Sequence, residues 1–105
     1  MKAIVYLNKY MCEKRQQGYE MEARAFAAKH GYQVDRTVVE SRTDTLPWLL
    51  MKAEALDVDA IVTPSLHHIQ HRAQDVLGRC DLLIVCTNDR YRRGSTVPAI
   101  RATGA

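Results

Sequence analysis

Four short runs of aliphatic and β-branched residues, at positions 2–7, 32–40, 60–63 and 82–86, are separated by stretches with helical character. The first reads Lys-Ala-Ile-Val-Tyr-Leu, the second carries Val34, Val38 and Val39, and the last two are apolar on successive residues. Strands that are apolar on both sides are buried on both faces, as in a parallel sheet covered by helices. Residues 20–30 lack Gly, Pro and β-branched residues and end at Gly31, a residue suited to stopping a helix. Residues 41–45 form a loop with capping chemistry. Pro47 then sits in the first turn of a second helix reaching Leu56, where its missing amide is tolerated. Ile69, Ala73, Val76, Leu77 and Cys80 follow helical spacing and predict a third helix over 67–78. Residues 8–18 read as a polar loop, and after Thr87 the apolar pattern stops.

The order βαβαβαβ with right-handed crossovers specifies an α/β fold. It is expected to be a small doubly wound, mostly parallel four-stranded sheet with helices on both faces. The domain spans 1–88, and a basic tail, its order left open, spans 89–105. Ligands of such folds lie beyond the carboxyl ends of the strands. Those ends fall near 8–12, 41–45, 64–68 and 87–91.

Composition narrows the function classes. At 105 residues, one core fits. Residues 1–88 hold 11 basic and 11 acidic side chains, so the whole +3 comes from Arg90, Arg92, Arg93 and Arg101 against Asp89. A neutral body argues against a protein that coats DNA. No apolar run approaches the ~20 residues that cross a bilayer, and no leader pattern opens the chain. The three cysteines, Cys12, Cys80 and Cys86, have unrelated spacings. They fit reduced thiols in a cytoplasmic protein better than a disulfide frame.

Three collinear pieces resemble the catalytic domain of the serine recombinases, the resolvase/invertase family. Residues 3–7 with Gln17-Gly18-Tyr19-Glu20-Met21-Glu22-Ala23 resemble that family's first strand, nucleophile loop and first helix start. Leu46-Pro47 through Leu50, with 59–62, resembles its R-P-x-L-x-x-L-L segment and the following strand. Residues 65–71, Ser-Leu-His-His-Ile-Gln-His, are in register with its K-L-D-R-L-x-R. The resemblance covers about 2–86. It implies a resolvase-like fold and phosphoryl transfer, in which a serine attacks a DNA phosphate while arginines neutralise the phosphorane.

The positions that would carry this reaction all differ. Asn8 stands for an arginine, Tyr10 for the nucleophilic serine, and Leu46 for the R-P arginine. His67 stands for an aspartate, and His68 and His71 for two further arginines. Without guanidinium clamps, the resemblance implies a degenerate site that has lost its grip on phosphate.

Other residues suggest replacements. The helical wheel places His67, His68 and His71 off the apolar stripe, so none is expected in the core. His67 and His71 are an i, i+4 pair that could share a divalent metal, with Cys12 as the candidate third ligand. The bland alternative is a polar helix start and no cofactor. Tyr10 could serve as a phosphate nucleophile beside such a metal, or simply pack over the site. Cys12 could be a reactive thiol or a plain loop cysteine.

The first helix carries two apolar stripes, Met21, Ala25, Ala28 and Ala23, Phe26, Ala27. The second has a core face of Leu46, Leu49, Leu50, Ala53 and Leu56, with Trp48, Met51 and Ala55 pointing away. A helix on a sheet needs one stripe, so Phe26, Trp48 and Met51 are candidates for an oligomer or partner interface. Arg90, Arg92 and Arg93 around Tyr91 could hold nucleic acid weakly and without sequence preference. The expected function is a catalytically inactive, self-associating interaction or regulatory module. The alternatives are DNA association through the tail and metal-dependent phosphoryl transfer by Tyr10.

Overall fold

A computed structural model describes residues 1–41, 46–69 and 72–96, without the side chains of Leu46, Pro47, Trp48 and Lys52. The first run becomes the central strand β1, Lys2–Asn8, buried at every position after Lys2. A one-turn helix α1, Lys9–Cys12, leads into α2, Gln16–Lys29. Gly31, at φ 87, turns the chain into β2, Gln33–Glu40. Then follow α3, Leu46–Ala55, and β3, Ala60–Thr63. A 3-10 turn at Leu66–His68 precedes α4, Ala73–Leu77, and β4, Asp81–Ile84. The described chain closes with β5, Asp89–Tyr91.

The sheet order is β2-β1-β3-β4-β5, parallel except for β5, which runs antiparallel to β4. One face packs Ala3, Val5, Leu7, Ala60, Val62 and Leu83 against Ala23, Phe26 and Ala27 of α2. The other packs Ile4, Ile61, Leu82 and Ile84 against Leu49 and Ala53 of α3 and Ala73, Val76 and Leu77 of α4. Burying each large aliphatic side chain contributes about 1.5–3 kcal/mol, so the two layers are the main source of stability. The β1–β2 register shifts where Ala3 and Ile4 face Val34 and Arg36, leaving Asp35 as an extra residue. That bulge explains why Val34 packs on the α2 side while Val38 packs on the opposite one.

Several expectations change. The sheet has five strands, because Asp89–Tyr91 of the expected tail is paired. Asp81 anchors this addition: its carboxylate accepts the Tyr32 hydroxyl at 2.6 Å and the Arg93 N–H at 2.7 Å. Arg90 lies 3.9 Å from the same carboxylate and 5.4 Å above the Tyr32 ring. The Gly94 N–H then donates to the Leu77 carbonyl at 2.8 Å. Residues 97–105, including Arg101, lie outside the described residues.

Among the described residues, the helix expected over 67–78 shows a 3-10 turn at Leu66–His68 and a five-residue helix at Ala73–Leu77, so a single wheel through both misplaces His68. Phe26 belongs to the core, since α2 turns Ala23, Phe26 and Ala27 inward and leaves Met21, Ala25 and Ala28 exposed. Met51 is exposed as expected, at 68%. The Trp48 side chain lies outside the described residues.

Candidate functional site

The connections after β1 and β3 leave towards opposite faces of the sheet. This is the topological switch point, where doubly wound folds open a crevice. Asn8 ends β1, and the Leu66–His68 turn follows β3. The two chain segments meet there: the Asn8 N–H donates to His68 Nδ1 at 2.9 Å. Asn8 Oδ1 accepts the Tyr10 N–H at 3.0 Å, which caps α1. Asn8 and His68 are buried, at 2% and 4% exposure.

Because Nδ1 is an acceptor, the neutral ring carries its proton on Nε2. Burial, with a smaller contribution from His67, pushes the His68 pKa down to about 4, so the ring is neutral at pH 7. His68 therefore corrects the expectation that no histidine is in the core. Its burial comes from a tertiary hydrogen bond, which helical periodicity does not report.

Tyr19 meets His68 edge-on, with centroids 6.0 Å apart at 83°. The Arg15 guanidinium sits 4.9 Å above the Tyr19 ring and 3.9 Å from Glu22. Arg15 and Glu22 are both more than half exposed, so their pairing contributes less than about 1 kcal/mol. Thr63, at the end of β3, is fully buried, and its hydroxyl has no hydrogen-bond partner among the described residues.

The other expected site residues do not converge. Tyr10 stands out from α1 at 73% exposure, with Met11 beside it at 43%. Cys12, on the same turn, is 1% exposed and packs into the α2-side core. Burial pushes its thiol pKa up, which argues against a reactive thiol. His67 is exposed, while His71 lies outside the described residues, so the i, i+4 pair is not seen together. Among the described residues, no three His, Cys, Asp or Glu side chains group as metal ligands. Leu46 opens α3, but its side chain is outside the described residues. In the basic segment, Arg90 is engaged by Asp81 and Tyr32, whereas Arg92 and Arg93 are exposed.

Sequence reasoning missed Thr63, Tyr19 and Arg15. A buried threonine looks like any strand residue. The tyrosine–arginine stack depends on α2 starting at Gln16, four residues before the expected start. A cleft of about 350 Å³ also exists, but at the amino ends of the strands, beside Met1, Asp59 and Asp81. It is far from the switch point, and its Glu54 and Arg79 already pair with each other.

Chemically, the switch-point centre is closed and neutral. The Asn8 backbone N–H occupies His68 Nδ1 and the Tyr10 N–H occupies Asn8 Oδ1, so neither side chain offers a fixed cation to a phosphoryl oxygen.

No protein-family model matches the chain, and no curated protein matches it. Solved structures do match. The N-terminal catalytic domain of TP901-1 integrase aligns with TM-score 0.65 and 13% identity, over 86% of this chain and 81% of that one. The C-terminal catalytic domain of ISC1926 TnpA, an IS607-like serine recombinase, aligns with TM-score 0.66 and 12% identity, over 81% and 70% of the two chains. At these identities the likeness is one of fold. The observed architecture is the one the sequence resemblance implied.

Proposed function

We propose, from a fold shared with serine recombinase catalytic domains, that this chain has lost strand-exchange chemistry and works as a protein-interaction or regulatory module. The observation that carries this reading is the buried Asn8–His68 pair at the switch point. At those two positions the resemblance implies arginines free to grip phosphate. Here the first is a side chain that caps its own helix, and the second is a neutral ring bonded to its neighbour. Tyr10, in the nucleophile position, is exposed rather than held in a cleft. Self-association through the outer face of α3, where Met51 is exposed, belongs to the same reading. The setting we propose is the cytoplasm, in keeping with three free thiols. No helix among the described residues is long and apolar enough to cross a membrane.

The reading is tested by incubating the protein with supercoiled plasmid, quenching in detergent and looking for protein linked covalently to DNA. No adduct and no nicking are expected. An adduct that disappears in Tyr10→Phe would overturn the reading.

The exposed Arg92 and Arg93 favour a second reading, weak DNA association through the basic segment. Binding to mixed-sequence DNA should then fall steeply with salt and vanish in Arg92→Ala/Arg93→Ala. Arg90→Ala should affect it less, because that guanidinium is occupied by Asp81.

A further inference from the structure

We propose that the turn formed by α1 and the start of α2 is a docking surface for an acidic protein segment with an apolar anchor. This rests on the reading above, that the nucleophile position no longer performs chemistry, and it names the partner class of that same position.

The first observation is exposure on a hydrogen-bonded turn. Tyr10 and Met11 project from a one-turn helix at 73% and 43% exposure. That helix is fixed from three sides. Asn8 Oδ1 caps the Tyr10 N–H, His68 Nδ1 holds the Asn8 N–H, and Cys12 plugs into the core. The exit is fixed too, since the Arg15 N–H donates to the Cys12 carbonyl at 2.8 Å. An aromatic and a thioether side chain are therefore presented to water from a turn tied to the sheet and the core. Such tethering lowers the ordering cost of association, and Tyr, Met and Arg are enriched where interfaces bury their centres.

The second observation is charge. Lys9, Lys14 and Arg15 are exposed around this pair, against Glu13 within the same turn. Arg15 is already oriented by the Tyr19 ring at 4.9 Å and by Glu22 at 3.9 Å. A segment bearing several Asp or Glu residues around one aromatic or aliphatic side chain matches both features: the anchor covers Tyr10 and Met11, and the carboxylates meet Lys9 and Lys14, with Arg15 shared with Glu22. A nucleic-acid strand fits less well. Glu13 and Glu22 interrupt the cations that a continuous phosphate backbone would follow, and Met11 offers no plane for a base to stack on. A second copy of the same surface would bring like charges together.

The test selects 12-residue peptides from a random display library on the full chain. The winning peptides are then measured by fluorescence anisotropy, with a dT30 oligonucleotide as the alternative probe. Enrichment of acidic peptides with one apolar anchor is expected. Their affinity should fall about tenfold or more in Tyr10→Ala and in Met11→Ala, and should also fall in Lys14→Glu and at high salt. These side chains are exposed, so unchanged thermal melts should show that the variants still fold. The proposal is overturned if no acidic consensus emerges, if affinity ignores Tyr10 and Met11, or if dT30 binds through Tyr10 more tightly than the peptides. The plasmid assay separates the two failures. A covalent adduct sinks the inactive-module reading, whereas peptides that bind elsewhere, with no adduct, sink only the docking surface.

Discussion

Replacing His68 with alanine removes the side chain that hydrogen-bonds the end of β1 from the segment after β3. The cost can be worked from its contacts. The Asn8 N–H, donating at 2.9 Å in a buried setting, would lose its acceptor. A stranded buried donor costs about 1–3 kcal/mol. The edge-on contact with Tyr19 contributes about 1 kcal/mol more. His68→Ala should therefore lower unfolding stability at pH 7 by about 2–4 kcal/mol, measured by urea denaturation followed by far-ultraviolet circular dichroism.

The substitution should also change the pH dependence. In the unfolded chain a histidine takes up its proton near pH 6.5, whereas folded His68 resists protonation down to about pH 4. The unfolded state therefore binds more protons across that window. The stability of the parent protein should fall as pH drops from 6.5 to 4, by roughly 3 kcal/mol from this residue alone. His68→Ala should lose that part of the slope. A loss below about 0.5 kcal/mol at pH 7, or an unchanged pH slope, would refute the account of the Asn8–His68 pair.

Other consequences are equally direct. Asp81→Ala removes the shared acceptor of Tyr32, Arg90 and Arg93. It should cost about 2–3 kcal/mol and speed trypsin cleavage after Arg92 or Arg93, read by mass spectrometry. Leu49→Ala empties a fully buried position under α3 and should cost about 2–5 kcal/mol in the same urea assay. Of the three thiols, only Cys86 is exposed, although its place in the apolar run at 82–86 predicts a core position; burial pushes Cys80 up to about 12 and also raises Cys12 and Cys86. A thiol reagent should label Cys86 promptly in the native protein and the other two only on unfolding; prompt labelling of Cys12 would contradict its place in the core.

The strands and helices that build the two cores were readable because their signal is periodic burial. The runs at 60–63 and 82–86 are apolar on consecutive residues, and such runs become strands covered on both faces. The start of β1 and Gly31 were readable for similarly local reasons. β5 was not, because Asp-Arg-Tyr at 89–91 is held by its backbone ladder to β4 and by the Asp81 carboxylate of that strand, and carries no apolar pattern. For α2, the wheel shows two stripes but cannot say which meets the sheet. Phe26 turns inward because it packs with Ala23 and Ala27 in the layer facing Ala3, Val5 and Leu7.

The same limit applied at the site. The positions 8, 10, 67 and 68 were found from the resemblance and do lie at the carboxyl edge. The burial of His68 depends on a bond to a backbone 60 residues earlier, which no local pattern encodes. Cys12 illustrates the reverse: a cysteine in a polar stretch reads as a loop thiol, until a one-turn helix points it into the core.

At the switch point a neutral His68 ring, held by the buried Asn8 N–H, stands where a phosphate-gripping site would need cations. Nitrogen-15 NMR of the His68 ring, followed from pH 3 to pH 8 with and without inorganic phosphate, tests it most directly. The expected spectrum shows a proton on Nε2, an unprotonated Nδ1 in a hydrogen bond, a midpoint near pH 4, and no response to phosphate. A ring that titrates near pH 6.5 or shifts when phosphate is added would contradict it.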